Sequence, residues 1–416
     1  MKLVIFAHVP PPHHGQSIAV QLMLENYGGN RRKAKFRQQP PNRYGIECYH
    51  VNARFSKTLE DVGELQAAKI LLVLFYCLQA IWCRFRYGVK TLYYVPAPGK
   101  AVALYRDWLI MFFCRPFFEK IIFHWHGGGL GKWLEISAST FTRRFTYNRM
   151  KNADASIVLS DFSRYDAEKF MARRVLVVAG GISDPCPRFE NEILSRRLAR
   201  VEARKKILAG DLQIQDARDM IVNVLFIAHC TREKGVFDSV EAIALANEKL
   251  AAEGSPLRFR LTLIGAFALA AEEKELRERV QRRNLQNAVT VLGFVSNERK
   301  NLELREADIF CFPTYYLAEG QPASVIEAFA FGLPVITTRW RAIPGMFPEN
   351  YPGFVDSKSP AQIAEKLRLL CTSDWSKPLR ETFISRFTLN QHLARMAEAL
   401  HSVETFDLPP AHGNLK

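Results

Sequence analysis

Short apolar runs alternate along this chain with longer stretches of helical periodicity, the pattern of a parallel sheet covered by helices on both faces. In the first half, runs rich in β-branched and aromatic residues at 2–7, 90–95, 119–124, 155–159 and 174–178 predict strands. Helices are predicted between them, among others at 62–86 and 138–151. The alternation stops at Asp184-Pro185-Cys186-Pro187. A charge-dense helical segment follows at 190–206, then a polar stretch over 210–219. The strand–helix pattern resumes at Ile221-Val222-Asn223-Val224-Leu225-Phe226-Ile227. Further strands are predicted at 259–264, 288–292, 308–311 and 334–336, with helices at 236–252, 270–283, 297–305 and 322–331. A last helical period runs over 387–405, and the end beyond Pro409-Pro410 reads as frayed. The reading is therefore α/β with two Rossmann-like parallel-sheet domains, 1–184 and 219–385, joined by a connector at 185–218, then a helix at 386–404 and a tail at 405–416. Ligands of open α/β sheets bind beyond the carboxyl ends of the strands, so two such domains facing across a cleft would line it with both sets of loops.

Composition supports this and narrows it. The chain has 416 residues, 48% hydrophobic and 24% charged, enough for two cores. Its eight cysteines are scattered without a CxxC pair or zinc spacing, which predicts free thiols in a reducing compartment. Met1-Lys2 leads straight into a strand-like run with no visible signal peptide, so a cytoplasmic location is expected. The apolar stretches 70–83 and 108–118 are short of the roughly 20 residues that span a bilayer and read as core or interfacial helices. Net charge is +15 and uneven: 26 Lys and Arg stand against 13 Asp and Glu in residues 1–184, and 31 against 29 in the rest. A basic first half suits phosphate-rich partners, among them an anionic membrane surface. No nucleic-acid motif accompanies the charge, so nucleic acid is not an expected partner. No GxGxxG follows either leading strand, which argues against a dinucleotide dehydrogenase.

Four segments carry candidate chemistry. Glu319-Gly320-Gln321-Pro322-Ala323-Ser324-Val325-Ile326-Glu327 follows the strand at 308–311. Pro322 suits the first turn of a helix, and the free N–H groups of Ala323 and Ser324 there favour a phosphate. The carboxylates of Glu319 and Glu327 bracket that point and can accept from sugar or ribose hydroxyls. Thr231-Arg232-Glu233-Lys234-Gly235 follows the strand at 221–227 and can place the Lys234 ammonium on a diphosphate. Pro12-His13-His14-Gly15 follows the first strand, where Gly15 permits close backbone approach. His124-Trp125-His126-Gly127-Gly128-Gly129 follows the strand at 119–124. Strand alternation turns His124 into the sheet core. The two histidines have no Asp, Glu or Cys beside them, so no metal is expected.

The Glu319–Glu327 stretch resembles the E-x7-E signature of family 4 glycosyltransferases. So do its continuation Ala328-Phe329-Ala330-Phe331-Gly332-Leu333-Pro334 and Leu292-Gly293-Phe294-Val295 upstream. The resemblance implies the GT-B fold and a retaining transfer of a sugar from a UDP- or GDP-linked donor, without metal or other cofactor. It implies that Glu319 contacts the donor sugar and Glu327 the ribose, with Gly320 and Gln321 in the same loop. Gly293, Phe294 and Val295 would hold the base, and Lys234 would stabilise the departing diphosphate. The loop at Gly15 and the His126-Gly127 pair match the family's donor-binding positions in the first domain, and 386–404 its last helix, which packs back on that domain. Where family members often carry an Arg five or six residues before the Lys, this chain has His229 and Ala228, and Arg232 is the candidate replacement. The implied acceptor, a sugar or lipid-linked saccharide of bacterial surface-polysaccharide or glycolipid synthesis, would sit on the first domain. A nucleotide-sugar epimerase of the same architecture and a catalytically silent sugar-nucleotide binder are the alternatives.

Overall fold

The computed structural model describes residues 1–11, 15–37, 42–55, 67–97, 99, 101–211 and 217–405. Pro12, His13 and His14 of the first glycine loop lie outside these residues. The chain divides into two compact units, Met1–Gly181 with Asn390–Lys416, and Ile182–Leu389.

The first unit contains strands β1 (Lys2–Ala7), β2 (Glu47–Asn52), β3 (Thr91–Tyr94), β4 (Lys120–Trp125), β5 (Ala155–Val158) and β6 (Val175–Val177). They form one sheet in the order β2-β1-β3-β4-β5-β6, every neighbouring pair parallel. Helices cover both faces, so β1 reads as an unbroken apolar run, with Leu3, Val4, Ile5 and Phe6 all buried. The helix Leu389–Thr405 is held here: Tyr27 donates to the Leu393 carbonyl, Lys120 to that of Val403 and Arg174 to that of Ser402.

The second unit contains β7 (Ile221–Ile227), β8 (Arg258–Ile264), β9 (Val289–Gly293), β10 (Ile309–Phe312), β11 (Val335–Thr338) and β12 (Phe354–Val355). Its sheet runs β12-β11-β10-β7-β8-β9, again with every neighbouring pair parallel. Strand order reverses between β7 and β10, the topological switch point where open α/β sheets leave a crevice for ligands. Together the two doubly wound sheets make the GT-B fold.

The stretch read as a connector is built into the second unit. The helix Ser195–Leu208 buries Arg197 and Arg204, each less than 5% exposed. Arg204 meets the buried Asp308 carboxylate at 2.8 Å, and that carboxylate also accepts from the Asn223 amide, so the pair is hydrogen-bonded on several sides. Asp184 takes both arms of the Arg380 guanidinium at 2.8 and 2.6 Å. The bridge between Ile182 and Thr388 then closes the unit where the chain enters and leaves it.

Candidate functional site

The switch point of the second sheet gathers two of the sequence-predicted residues. After β7 the chain makes a tight turn, Arg232–Lys234, and enters the helix Val236–Ala252 through Gly235. Gly235 has a φ of +83°, and a Cβ there would lie 2.5 Å from the Pro313 carbonyl oxygen just past β10, so no other residue fits. That close approach brings the ends of β7 and β10 together. The Tyr315 amide and the Thr314 hydroxyl both donate to the Glu233 carbonyl, at 2.8 and 3.3 Å. Across this joint Lys234 Nζ meets Glu319 Oε2 at 2.5 Å, and the same oxygen accepts from Thr314 Oγ1 at 3.1 Å. The Lys234 ammonium also lies over the Tyr316 ring, 4.6 Å from its centre. Glu319 is 7% exposed, and Arg341 fixes its carbonyl at 2.9 Å. A nearly buried carboxylate with one cation and one hydroxyl on a single oxygen keeps the acceptor capacity of the other.

From Glu319 the loop runs through Gly320 and Gln321 into the helix Ala323–Ala330. Pro322 is the residue before the helix rather than part of its first turn, and no side chain caps it. The N–H groups of the first turn, at Ala323 and Ser324, are therefore not covered by a capping oxygen, and the positive end of the helix dipole points the same way. The other end is neutralised from within the unit. Arg197 donates to the carbonyls of Phe331 and Gly332 at 2.5 and 2.9 Å, and Arg380 to that of Ala330 at 2.7 Å. Two guanidinium groups on the terminal carbonyls hold this helix in place and complement its dipole. Glu327 lies in its second turn, and Lys300, on the helix Asn297–Glu306, meets it at 2.5 Å.

The remaining candidates have surroundings of their own. Arg232 turns to Glu275, 2.5 Å away, with its guanidinium over the Phe237 ring. It is thus committed to the helix Ala270–Arg282 rather than to Lys234. His229, where an Arg often stands in the resembled family, feels Lys234: desolvation and then the lysine's charge lower its pKa, which favours a neutral imidazole. Gly293 ends β9 with a φ of +68° and presents Phe294, which is 76% exposed. In the first unit Gly15 begins the helix Gly15–Asn26 with open space where a Cβ would be. His126 is half-buried, its ring 4.1 Å from that of His124. His124 lies inside the core, hydrogen-bonded to the Tyr93 hydroxyl, and burial drives its pKa well below the usual imidazole value. Neither histidine joins a metal-capable group of three among the described residues.

Lys300, Thr314 and Arg341 escaped the sequence reading, because only the tertiary fold brings them to Glu327 and Glu319. Gly265 was legible in principle, as a glycine directly after an apolar strand. A Cβ there would lie 1.7 Å from the Ala228 carbonyl oxygen, so it packs the loops after β7 and β8 against each other.

Comparison with known proteins follows this geometry. Residues 213–388 match the family model of glycosyl transferases group 1. The chain is 27% identical over 200 residues to the amylovoran biosynthesis glycosyltransferase AmsK of Erwinia amylovora, which covers 46% of this chain and 47% of that protein. The chain thus aligns with about half the length of this curated relative. Among solved structures it is similar in fold to the sucrose-phosphate synthase of Thermosynechococcus elongatus, with a TM-score of 0.65 at 15% identity, over 97% of this chain and 99% of that one. It is similar also to Anabaena HepE in complex with UDP and glucose, with a TM-score of 0.61 at 15% identity, over 96% and 99%. The matched segment contains β7 to β12, the Lys234–Glu319 pair and the helix at 323–330, so it is the second unit of the chain that is similar to group 1 glycosyl transferases.

Proposed function

We propose that this protein transfers a sugar, with retention of anomeric configuration, from a nucleoside diphosphate donor to an acceptor of surface-polysaccharide or glycolipid synthesis. The observation that carries the reading is the Lys234–Glu319 pair at the switch point of the second sheet, beside an uncapped helix N-terminus. An anionic diphosphate suits that end of the helix and the lysine. As the bond between the anomeric carbon and the phosphate oxygen breaks, negative charge grows on the diphosphate, and a preorganised ammonium stabilises it by roughly 3–4 kcal/mol. The acceptor oxygen bonds to the anomeric carbon, and its proton passes to the departing phosphate oxygen. Glu319 orients the sugar, Glu327 accepts from the ribose, and Phe294 offers an exposed ring beside the base. The similarity to a UDP-binding fold and to a polysaccharide glycosyltransferase supports both donor class and setting. The basic first unit suits a lipid-linked acceptor at an anionic membrane surface.

A panel of UDP- and GDP-sugars screened by thermal shift tests this. One nucleotide class is expected to raise the melting temperature, since it binds only the folded state. NMR of the product should then show the donor's anomeric configuration kept. A sugar isomer formed from donor alone would instead make the protein an epimerase, and binding without turnover on any acceptor a silent module.

A further inference from the structure

The helix Ala67–Arg86 is apolar on two opposite sides. Its inner side, Val73, Cys77, Ala80 and Cys83, is buried in the core of the first unit. Its outer side carries Leu71, Phe75, Leu78, Trp82 and Phe85 at alternating spacings of four and three, hence in one stripe, and each is at least half exposed. At 1.5 Å per residue the stripe is about 21 Å long. Phe85 packs edge-on against Phe117, which is also exposed and continues it. An ordinary surface helix buries its apolar face and shows a polar one, so a second face of five large side chains asks for a covering.

The surrounding charges say of what kind. The helix contains no Asp or Glu. At its carboxyl end Arg32 lies over Trp82, Arg37 and Arg86 over Tyr87, and Arg84 over Phe85. The carboxylate nearby, Glu119, is held by Arg84 and Lys90 at 3.0 Å each. A second copy of the chain seated on this stripe would bring like charges together. A bilayer with anionic headgroups matches both features, since aromatic and aliphatic side chains enter the acyl boundary while arginines stay among the phosphates. No helix among the described residues is long and apolar enough to cross a membrane, so the contact is with its surface.

We propose that the outer stripe of the helix Ala67–Arg86, with its arginine-rich end, lies in the interface of an anionic lipid bilayer. This gives the membrane of the proposed function a place on the molecule, and it rests on that reading only in this respect.

The test is flotation of the full chain with vesicles of phosphatidylcholine alone and with 30% phosphatidylglycerol (about a third anionic lipid). Binding is expected only with the anionic lipid and should weaken as salt rises. Leu78→Ser/Phe85→Ser, on exposed positions, should reduce it roughly tenfold or more. Arg84→Gln/Arg86→Gln should reduce it about tenfold and flatten the salt dependence. Trp82 should shift its emission to the blue on vesicles, identified as the component lost in Trp82→Phe. Unchanged circular dichroism and melting temperature in the variants exclude misfolding. Equal binding by the Leu78/Phe85 variant would overturn the proposal. So would a dimer in solution that this variant dissociates, which would assign the stripe to a second copy. Nucleotide binding measured without vesicles separates a failure here from a failure of the transferase reading.

Discussion

Both units set polar groups at the carboxyl ends of a six-stranded parallel sheet, yet the two sets differ in charge and surroundings. In the second unit they are ions: Lys234 with Glu319, and Lys300 with Glu327, each pair at 2.5 Å and partly open to water. In the first they are imidazoles and a phenol held neutral by burial. His50 bonds to the Ala7 carbonyl at the end of β1, and His124 to Tyr93. The outer surfaces diverge as well, since the first unit shows an apolar helix face ringed by arginine. One topology thus serves two chemistries, and the difference lies in side chains that the topology does not specify. Charged strand ends suit a diphosphate, and a basic, partly apolar exterior suits an amphipathic partner.

The largest effect is expected where the second unit's charges meet the developing diphosphate. Lys234→Ala should lower turnover by roughly 10²–10³, the usual cost of one preorganised donor to a growing oxyanion. Its melting temperature should fall as well, because the nearly buried Glu319 carboxylate loses its cation and keeps the Thr314 hydroxyl as a partner. Steady-state kinetics beside calorimetry separate the two. Unaltered turnover would make the ion pair structural and erase the contrast between the units.

The strand–helix rhythm made most of this architecture legible, because parallel strands buried on both faces leave uninterrupted apolar runs. β7 and the helix Val236–Ala252 match their expected limits, and β3, β4, β8, β9, β10 and β11 lie within a residue or two of theirs. β2 was missed. Its sequence Glu-Cys-Tyr-His-Val-Asn looks polar, and its His50 is buried only because Ala7 on the neighbouring strand supplies an acceptor. β12 has two residues, too few for a period to register. The arginines of 190–206 read as part of a charge-dense helical segment. Three-dimensional packing turns Arg197 and Arg204 inward, onto carbonyls and an aspartate more than a hundred positions away. For the site, the E-x7-E spacing and the Lys-Gly turn marked the two loops. Their partners Thr314, Lys300 and Arg341 carry no local signature.

Acid should act on the first unit more than on the second. Burial lowers His50 to about 4, and it also lowers His124 and His392, all three in the first unit. The second unit has a single histidine, His229, which is exposed and whose pKa is also lowered, so one such group stands against three buried ones. Each buried imidazole binds a proton more readily when unfolded, so its stabilising effect is complete above the unfolded value of about 6.5 and fades as pH falls toward the folded one. For His50 the loss is on the order of 2 kcal/mol by pH 5. Hydrogen exchange at pH 7 and pH 5, corrected for intrinsic rates, should show protection falling in peptides of the first unit while those around β7 to β11 keep theirs. Equal losses in both would mean that the buried imidazoles do not govern the acid response.

The smallest effect sharpens what the second unit's charges are for. Lys300 and a ribose hydroxyl would compete for the same carboxylate oxygen of Glu327, because an ammonium at 2.5 Å already occupies Oε1. If the lysine only shields that carboxylate in the empty site, removing it frees an acceptor and donor binding tightens. An ion pair this accessible is worth about 0.2–1 kcal/mol, so Lys300→Gln should lower the dissociation constant by a factor of up to about 5. Isothermal titration with the nucleotide found in the screen gives the sign directly. Tenfold weaker binding would instead place Lys300 on the donor, and the second unit would then grip it with two ammonium groups rather than one.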